Sequence, residues 1–215
     1  MRHIGLFGGT FNPVHSGHLL AAEAVLERLR LDEIRFLPAA QSPFKQKPDI
    51  SDHHRLAMLE LALADRPEFV MDSRELDRPP PSYTIDTLRS LLEEYPHSRF
   101  YLMIGMDAWQ DFAGWHRWQA IMDSCHLIVM TRPGYQAPDL AVDWQARLTA
   151  ERTRLRSTRA GLLMFVTVPA SEAASSRLRR DIGQHRNTGN LLHPAVSRYI
   201  EEQNLYRTPG GKPHQ

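Results

Sequence analysis

The chain has 215 residues, of which 42% are hydrophobic and 24% are charged, and its net charge is +1. This composition predicts one ordinary soluble domain, and the near-neutral charge gives no overall field that would attract nucleic acid or a membrane surface. The single cysteine, Cys125, excludes an internal disulfide and a zinc site built from cysteines. The N-terminus lacks a signal peptide's apolar core, and no run approaches the roughly 18 apolar residues of a membrane span. We therefore expect a cytoplasmic protein.

Short apolar runs alternate with helical patterns along the chain. The runs lie at residues 3–8, 33–38, 69–71, 99–105, 126–130 and 162–168. Five helices are predicted. The first covers residues 18–29, and the next two begin at Asp52 and Thr84 as N-caps. The fourth runs from Ser175 or Ser176 to about Gln184, and the last has Pro194 in its first turn. The last three runs are apolar throughout, which is typical of strands covered on both faces. We predict an α/β fold, a doubly wound, Rossmann-like parallel sheet with helices on both faces.

In such a sheet, ligands bind beyond the carboxyl ends of the strands. Three stretches follow predicted strands directly, namely GGTFNPVHSGH (8–18), GMDAWQDFAGWHRW (105–118) and TRPGY (131–135). The loops at 41–49 and 77–84 are proline-rich and read as surface loops that could cover a site. Residues 1–207 are expected to form a single domain, and 208–215 a disordered tail.

The first of these stretches has the features of an anion site. Gly8 and Gly9 allow a sharp turn and close approach to a ligand, and the helix that begins near Gly17 directs free N–H groups to the same place. Neither a GK[ST] loop nor a GxGxxG fingerprint is present. A lone histidine here would read as a packed or capping residue, and no HExxH pattern favours zinc. Two histidines in one turn, His15 and His18, instead favour a role in phosphate binding. Their imidazoles would stabilise phosphate oxygens either in the protonated form or as neutral hydrogen-bond donors.

GGTFNPVHSGH resembles the signature of nucleotidyltransferases with an [HT]xGH motif, which His15–Ser16–Gly17–His18 matches. The longer form GLFGGTFNPVHxGHL is similar to bacterial nicotinate-nucleotide adenylyltransferases, and the resemblance extends over residues 3–207. It implies transfer of AMP from ATP to nicotinate mononucleotide, giving nicotinate adenine dinucleotide (deamido-NAD) and pyrophosphate in NAD biosynthesis. Mg²⁺ is expected as part of the MgATP complex, without a dedicated metal cluster in the protein.

Three further stretches carry the resemblance towards the pyridine nucleotide. QSPFK (41–45) resembles a PxxxPxK loop whose lysine reaches a phosphate, although Lys45 taken alone could equally be a solvated lysine. SYTIDTL (82–88) matches SYTxDTL, which implies that backbone N–H groups at Thr84 hold the nicotinate carboxylate. GMDAWQDFAGWHRW (105–118) matches GxDxxxxxxxWxxW.

In that last stretch, Gly105 permits close approach and Asp107 can accept hydrogen bonds from ribose hydroxyls. Trp115 offers a flat surface on which a pyridine ring can stack, and the backbone N–H of His116 would join Thr84 around the carboxylate. We expect Trp118 in the core, where Trp109 and even Trp115 could also lie. Arg132, after a strand, could serve the nucleotide or be a surface cap.

ASSRLR (174–179) resembles the family's ISSTxIR, with Ser176 in the threonine position and Arg179 as the final arginine. A hydroxyl, helix N–H groups and a guanidinium would clamp a triphosphate. Ala173 and Ala174 replace the isoleucine and first serine, a departure that bears on Ser175 and Ser176 more than on Arg179.

The resemblance thus assigns every candidate residue a role. The catalytic residues are His15, His18 and Arg179; ATP is bound by Gly8, Gly9, Thr10, Phe11, His15, His18, Gly105, Asp107, Ser176 and Arg179; and nicotinate mononucleotide is bound by Lys45, Thr84, Trp115, His116 and Arg132. No nucleic acid or membrane partner is expected, and the oligomeric state stays open.

Three alternatives remain. Another enzyme of the superfamily, such as a pantetheine-phosphate adenylyltransferase or a cytidylyltransferase, would share HxGH but would not explain SYTxDTL together with GxDxxxxxxxW. A nucleotide sensor without turnover would lack a phosphate-contacting residue. A nucleic-acid-binding protein is disfavoured by the neutral charge, despite RLRR at 177–180. The preference for nicotinate over nicotinamide mononucleotide is also open.

Overall fold

The computed structural model describes residues 1–40, 50–79, 81–135 and 140–207. Within these ranges a six-stranded parallel sheet has the spatial order β3-β2-β1-β4-β5-β6. Its strands are β1 (His3–Gly9), β2 (Glu33–Pro38), β3 (Phe69–Met71), β4 (Arg99–Gly105), β5 (His126–Thr131) and β6 (Leu163–Thr167). The chain runs outward from β1 to β3, then returns to the other side of β1 with β4. The order therefore reverses between β1 and β4, where doubly wound sheets bind their ligands.

Nine α-helices lie in the described ranges. They are α1 (Ser16–Leu29), α2 (Asp52–Leu63), α3 (Thr84–Glu94), α4 (Met106–Gln110), α5 (Trp118–Ser124), α6 (Val142–Arg147), α7 (Arg152–Ser157), α8 (Ser175–Gly183) and α9 (Pro194–Glu202). The strands and the five longer helices match the predicted ones within about two residues, whereas the short helices α4 to α7 were not predicted. In this described part of the chain, no helix has the length and apolar character needed to cross a membrane.

Both faces of the sheet are covered. Side chains of successive strand residues point to opposite faces, so Tyr101 and Met103 of β4 pack with α1, α2, α8 and α9, while Leu102 and Ile104 pack with α3 and α5. Burial on both sides explains why the strands are apolar throughout. The predicted Rossmann-like fold is confirmed.

Two predicted helix caps are wrong. Ser51 rather than Asp52 is the N-cap of α2, and its Oγ accepts a hydrogen bond from the His54 N–H at 3.5 Å. Tyr83 rather than Thr84 is the N-cap of α3, and its side chain makes no capping bond. Thr84 is instead the first residue of α3, so its N–H has no acceptor inside the helix.

Charged residues are buried in β2 because they are paired. Arg35 donates from Nε to Glu33 at 2.7 Å and from Nη1 to Asp72 at 3.0 Å, and its guanidinium lies 4.4 Å from the ring centre of Tyr95. These contacts satisfy the charge within the fold.

Candidate active site

β1 and β4 are neighbours that end at the same edge of the sheet. Phe7 pairs with Met103, so the glycines that finish the two strands follow at the same level. A Cβ built on Gly8 or on Gly105 meets no heavy atom within 4 Å, so both backbones border open space. Asp107 is exposed in the first turn of α4, directly after Gly105. The predicted glycines therefore lie where the strand order reverses.

The turn after β1 does not depend on glycine conformation. The left-handed residue is Phe11, with φ of 47°, and neither Gly8 nor Gly9 has a positive φ. A Cβ on Gly9 would instead lie 2.9 Å from the Phe11 ring. That ring is buried and packs against Phe7 and Phe36, which offsets the backbone strain. Because the Phe11 side chain is buried, only its backbone can reach a nucleotide.

His15 and His18 form a stacked pair at the N-terminus of α1. Their ring centroids are 3.7 Å apart with 20° between the planes. His15 is the N-cap, and its N–H donates to Nδ1 of His18 at 3.3 Å. Because Nδ1 of His18 accepts, a neutral His18 carries its hydrogen on Nε2. The Nε2 of His18 therefore lies at the start of α1, where the first N–H groups have no acceptor inside the helix.

His15 is held in its neutral form. Burial lowers the pKa of His15 to about 4, and its Nδ1 is buried without a hydrogen-bond partner among the described residues. A Cβ on Gly17 would lie 3.1 Å from this Nδ1 and 3.0 Å from Oγ of Ser171, so the glycine of the motif permits close packing around the ring. The sequence left open whether the imidazoles are protonated or act as neutral donors. The lowered pKa of His15 favours the neutral form for this residue. His15 also occupies the N-cap position that the capping interpretation gives it, and it makes no side-chain capping bond.

The turn that leads into the histidines is held from two distant parts of the chain. Arg179 donates from Nη1 to the Asn12 carbonyl at 2.8 Å, and the Ser175 hydroxyl donates to the Pro13 carbonyl at 3.0 Å. The Tyr206 hydroxyl donates to Oδ1 of Asn12 at 2.6 Å. The start of α8 is thus placed beside the start of α1.

Of the two residues that the resemblance emphasises in α8, Arg179 contacts the turn and Ser176 does not. Ser175 contacts the turn, whereas Ser176 is exposed in the same helical turn. Ala174 is the N-cap and makes no side-chain capping bond. With alanine in place of that serine, the first N–H groups of α8 have no side-chain acceptor among the described residues.

Three of the residues assigned to the pyridine nucleotide lie at the start of α3 (Thr84) and in the segment before α5 (Trp115 and His116). The rings of Tyr83 and His116 lie 4.4 Å apart, and Tyr83 directly precedes Thr84, the first residue of α3. Trp115 is partly buried, with its ring 5.3 Å from that of Phe112. Trp118 and Trp109 also pack against the core at partial burial, in agreement with their predicted place.

Two candidates have little structural support. Arg132 follows β5 at the same sheet edge and is exposed. Lys45 lies outside the described residues.

Two functional candidates were missed by sequence reasoning. Tyr206 is 194 residues from Asn12, and nothing in its local sequence indicates the contact. Arg55 is fully buried and donates to the Thr10 carbonyl. The sequence could have indicated this role, because Arg55 lies on the same apolar face of α2 as Met58, Leu59 and Ala62.

Comparison with known proteins assigns this chain to a family. A family model described as cytidylyltransferase-like matches residues 6–181. A protein from Acidithiobacillus ferrooxidans is 39% identical over 208 residues, 95% of each chain. One from Aeromonas salmonicida is 42% identical over 207 residues, 95% of this chain and 97% of that protein. Both bear the name "Probable nicotinate-nucleotide adenylyltransferase". The chain belongs to the nicotinate-nucleotide adenylyltransferase family.

Solved structures agree with this family at the level of the fold. The nicotinic acid mononucleotide adenylyltransferase of Plasmodium falciparum, complexed with APC, superposes with a TM-score of 0.71 at 17% identity, covering 96% of this chain and 98% of that one. The same enzyme complexed with NaAD gives 0.70 at 18% identity and the same coverage. The family and the nucleotidyltransferase class predicted from GLFGGTFNPVHxGHL are confirmed, while the individual site roles stay predictions.

Proposed function

We propose that this chain transfers the AMP group of ATP to nicotinate mononucleotide, giving nicotinate adenine dinucleotide and pyrophosphate in NAD biosynthesis. The observation that carries the proposal is the stacked pair of His15 and His18, at the start of α1 and at the switch point of the sheet, in a member of this family. A site of this kind binds anions through N–H donors and the helix dipole.

The reaction needs alignment more than acid–base chemistry. A phosphate oxygen of nicotinate mononucleotide attacks the α-phosphorus of ATP, the bond from that phosphorus to the bridging oxygen breaks, and pyrophosphate leaves with the electron pair. The attacking monoester has a second pKa near about 6, so it is mostly dianionic at neutral pH and needs no general base. The protein must hold two polyanions in line and stabilise the charge on the leaving group.

The histidines and Arg179 suit that task. In this proposal His18 donates from Nε2 to the ATP phosphates, and His15 orients it by stacking and through its N–H. Arg179 brings a guanidinium to the same turn through its bond to Asn12. Gly8, Gly9 and Phe11 contribute backbone, and Ser176 and the start of α8 face the triphosphate.

The pyridine nucleotide would lie beyond β4. Asp107 accepts from ribose hydroxyls, Trp115 stacks on the pyridine ring, and the N–H groups of Thr84 and His116 hold the carboxylate. The contact of 4.4 Å between the Tyr83 and His116 rings supports this last pairing. Lys45 and Arg132 are assigned to the same nucleotide from the resemblance.

MgATP is the proposed form of the substrate. Mg²⁺ usually keeps several waters and binds substrate phosphates through few carboxylates. Among the residues that the structure describes, no group of three or more histidines, cysteines or acidic residues could hold a metal ion. We expect the triphosphate to carry the ion. ATP as co-substrate and the lone Cys125 support a cytoplasmic location.

The test is pyrophosphate release from MgATP and nicotinate mononucleotide, with the dinucleotide product identified by its mass. The His18→Ala enzyme should be slower by about 10²–10³, the usual effect of losing one preorganised donor. His97→Ala, which removes an exposed histidine far from the switch point, should retain the wild-type rate. Absence of the dinucleotide with the wild-type protein would overturn the proposal.

A further inference from the structure

Arg55 is buried on the core-facing side of α2, where an apolar residue would be expected. Its relative exposure is 0%. Nη1 donates to the Thr10 carbonyl at 2.7 Å, and Nη2 donates to the Ala39 carbonyl at 2.8 Å and to Asp52 at 2.6 Å. The guanidinium thus joins the turn after β1 to the end of β2 and the start of α2.

The bond to Thr10 fixes the direction of the next N–H. In a planar trans peptide the carbonyl and the following N–H point to opposite sides. Because Arg55 draws the Thr10 carbonyl into the protein, the N–H of Phe11 points away from the buried guanidinium. Among the described residues no acceptor is paired with that N–H. Gly8, three residues earlier in the chain, borders open space.

Stability alone is a weak reason for this arrangement. A buried ion pair is often replaceable by apolar side chains without loss, because desolvation offsets the attraction. The carboxylate of Asp52 is also 46% exposed, so it neutralises the buried charge only in part. Bonds to two backbone carbonyls, by contrast, orient peptides at the carboxyl ends of β1 and β2.

We propose that Arg55 is a positioning residue for ATP. It holds the Thr10–Phe11 peptide so that the Phe11 N–H faces the phosphates, and it keeps the Thr10 carbonyl, which would repel them, turned inward. The inference rests on the proposed function, since it assumes that the phosphates lie at this turn.

The test compares Arg55→Met and Arg55→Lys with a matched control, Arg35→Met. Arg35 is also a buried, carboxylate-paired arginine, but its partners Glu33 and Asp72 lie outside the site. For Arg55→Met we expect kcat/KM for ATP to fall roughly 10- to 100-fold while KM for nicotinate mononucleotide changes less than about twofold, as for a misplaced phosphate donor. Arg55→Lys should lose less, because lysine keeps the charge and can bind one carbonyl.

Binding of MgATP by calorimetry supplies a readout that does not need turnover. It should weaken in Arg55→Met but not in Arg35→Met, and Arg55→Lys replaces the methionine variant if that variant does not fold. Equal losses for both substrates, or ATP binding equal to that of Arg35→Met, would overturn the role of Arg55. If the wild-type protein binds MgATP but releases no pyrophosphate, the proposed function fails while the binding comparison still tests Arg55.

Discussion

Arg179 of α8 donates a hydrogen bond to the carbonyl oxygen of Asn12 across 2.8 Å, although the two residues are 167 positions apart in the sequence. The bond fixes a guanidinium beside the turn that leads into His15. It also ties the position of α8 to that of α1, so the two helix N-termini meet at one place. The proposed phosphate site is therefore a product of the tertiary fold as much as of the HxGH motif.

Replacement of Arg179 tests this joint site. Arg179→Met should lower kcat/KM for ATP by roughly 10²–10³, because it removes both a charged donor and the link to Asn12. Arg177→Met is the matched control, since Arg177 is in the same helix but pairs with Glu172 and Asp181 on the surface. Steady-state kinetics at varied ATP distinguish them. Equal constants for the two variants would show that Arg179 has no part in phosphate binding.

Trp115 should affect only the pyridine nucleotide. Loss of ring stacking in Trp115→Leu is worth about 0.5–1.5 kcal/mol, which corresponds to a rise of roughly two- to tenfold in KM for nicotinate mononucleotide. KM for ATP should not change. Trp144→Leu removes another indole from the same aromatic cluster, where Trp144 packs on Trp109 at 4.7 Å. If that control raises KM for nicotinate mononucleotide as much as Trp115→Leu, the effect comes from packing.

Acid should destabilise the fold through buried histidines: burial lowers the pKa of His3, and it lowers those of two others furthest. Burial lowers the pKa of His126 and of His15 to about 4. His126 accepts from the Leu162 N–H at 3.3 Å and lies 3.1 Å from the Thr158 carbonyl through Nε2, so both neighbours suit its neutral form. Below the unfolded pKa of 6.5 the unfolded chain binds protons that the folded chain does not. The free energy of unfolding is therefore highest above pH 6.5 and falls as the pH drops towards about 4.

Urea unfolding at about pH 7.5 and about pH 5 measures this loss, which should be on the order of 2 kcal/mol per histidine at the lower pH. His126→Gln removes one titrating group. It should therefore lose about 2 kcal/mol less than the wild type on acidification, whatever its stability at neutral pH. Parallel losses in the two proteins would contradict the assignment.

Tyr206 should affect both stability and ATP use. Tyr206→Phe leaves the buried Oδ1 of Asn12 without its donor, which should lower the free energy of unfolding by about 1–3 kcal/mol. Because Asn12 belongs to the turn that leads into His15, where we propose that the phosphates bind, KM for ATP should also rise. Tyr199→Phe breaks a comparable bond, to His54 at 2.9 Å, away from that turn. ATP kinetics that match between these two variants would exclude a role for Tyr206 in the site.

The strands were predictable because their pattern is local. A parallel strand buried on both faces leaves an unbroken apolar run, and β4 was predicted at the bounds that the structure has, Arg99–Gly105. Short helices leave no such pattern. α5 (Trp118–Ser124) spans about two turns, too few residues for a helical stripe to stand out.

The site divides in the same way. His15 and His18 lie in one turn of the chain, and their grouping could be predicted from sequence. The donors that hold this turn, Arg55 and Tyr206, come from 45 and 194 residues away, and local spacing does not encode such contacts. The conformation of Phe11 was also unexpected, because a neighbouring pair of glycines offered an easier explanation for the turn.

The most direct measurement is pyrophosphate release from MgATP with three acceptors in parallel, namely nicotinate mononucleotide, nicotinamide mononucleotide and phosphopantetheine. We predict rapid release with nicotinate mononucleotide, much slower release with the amide, and none with phosphopantetheine, because the two backbone donors that we propose at Thr84 and His116 would select a carboxylate. Equal use of the nicotinamide nucleotide would contradict that carboxylate pocket. Pyrophosphate release with phosphopantetheine alone, or no release with any of the three acceptors, would contradict the proposed reaction itself.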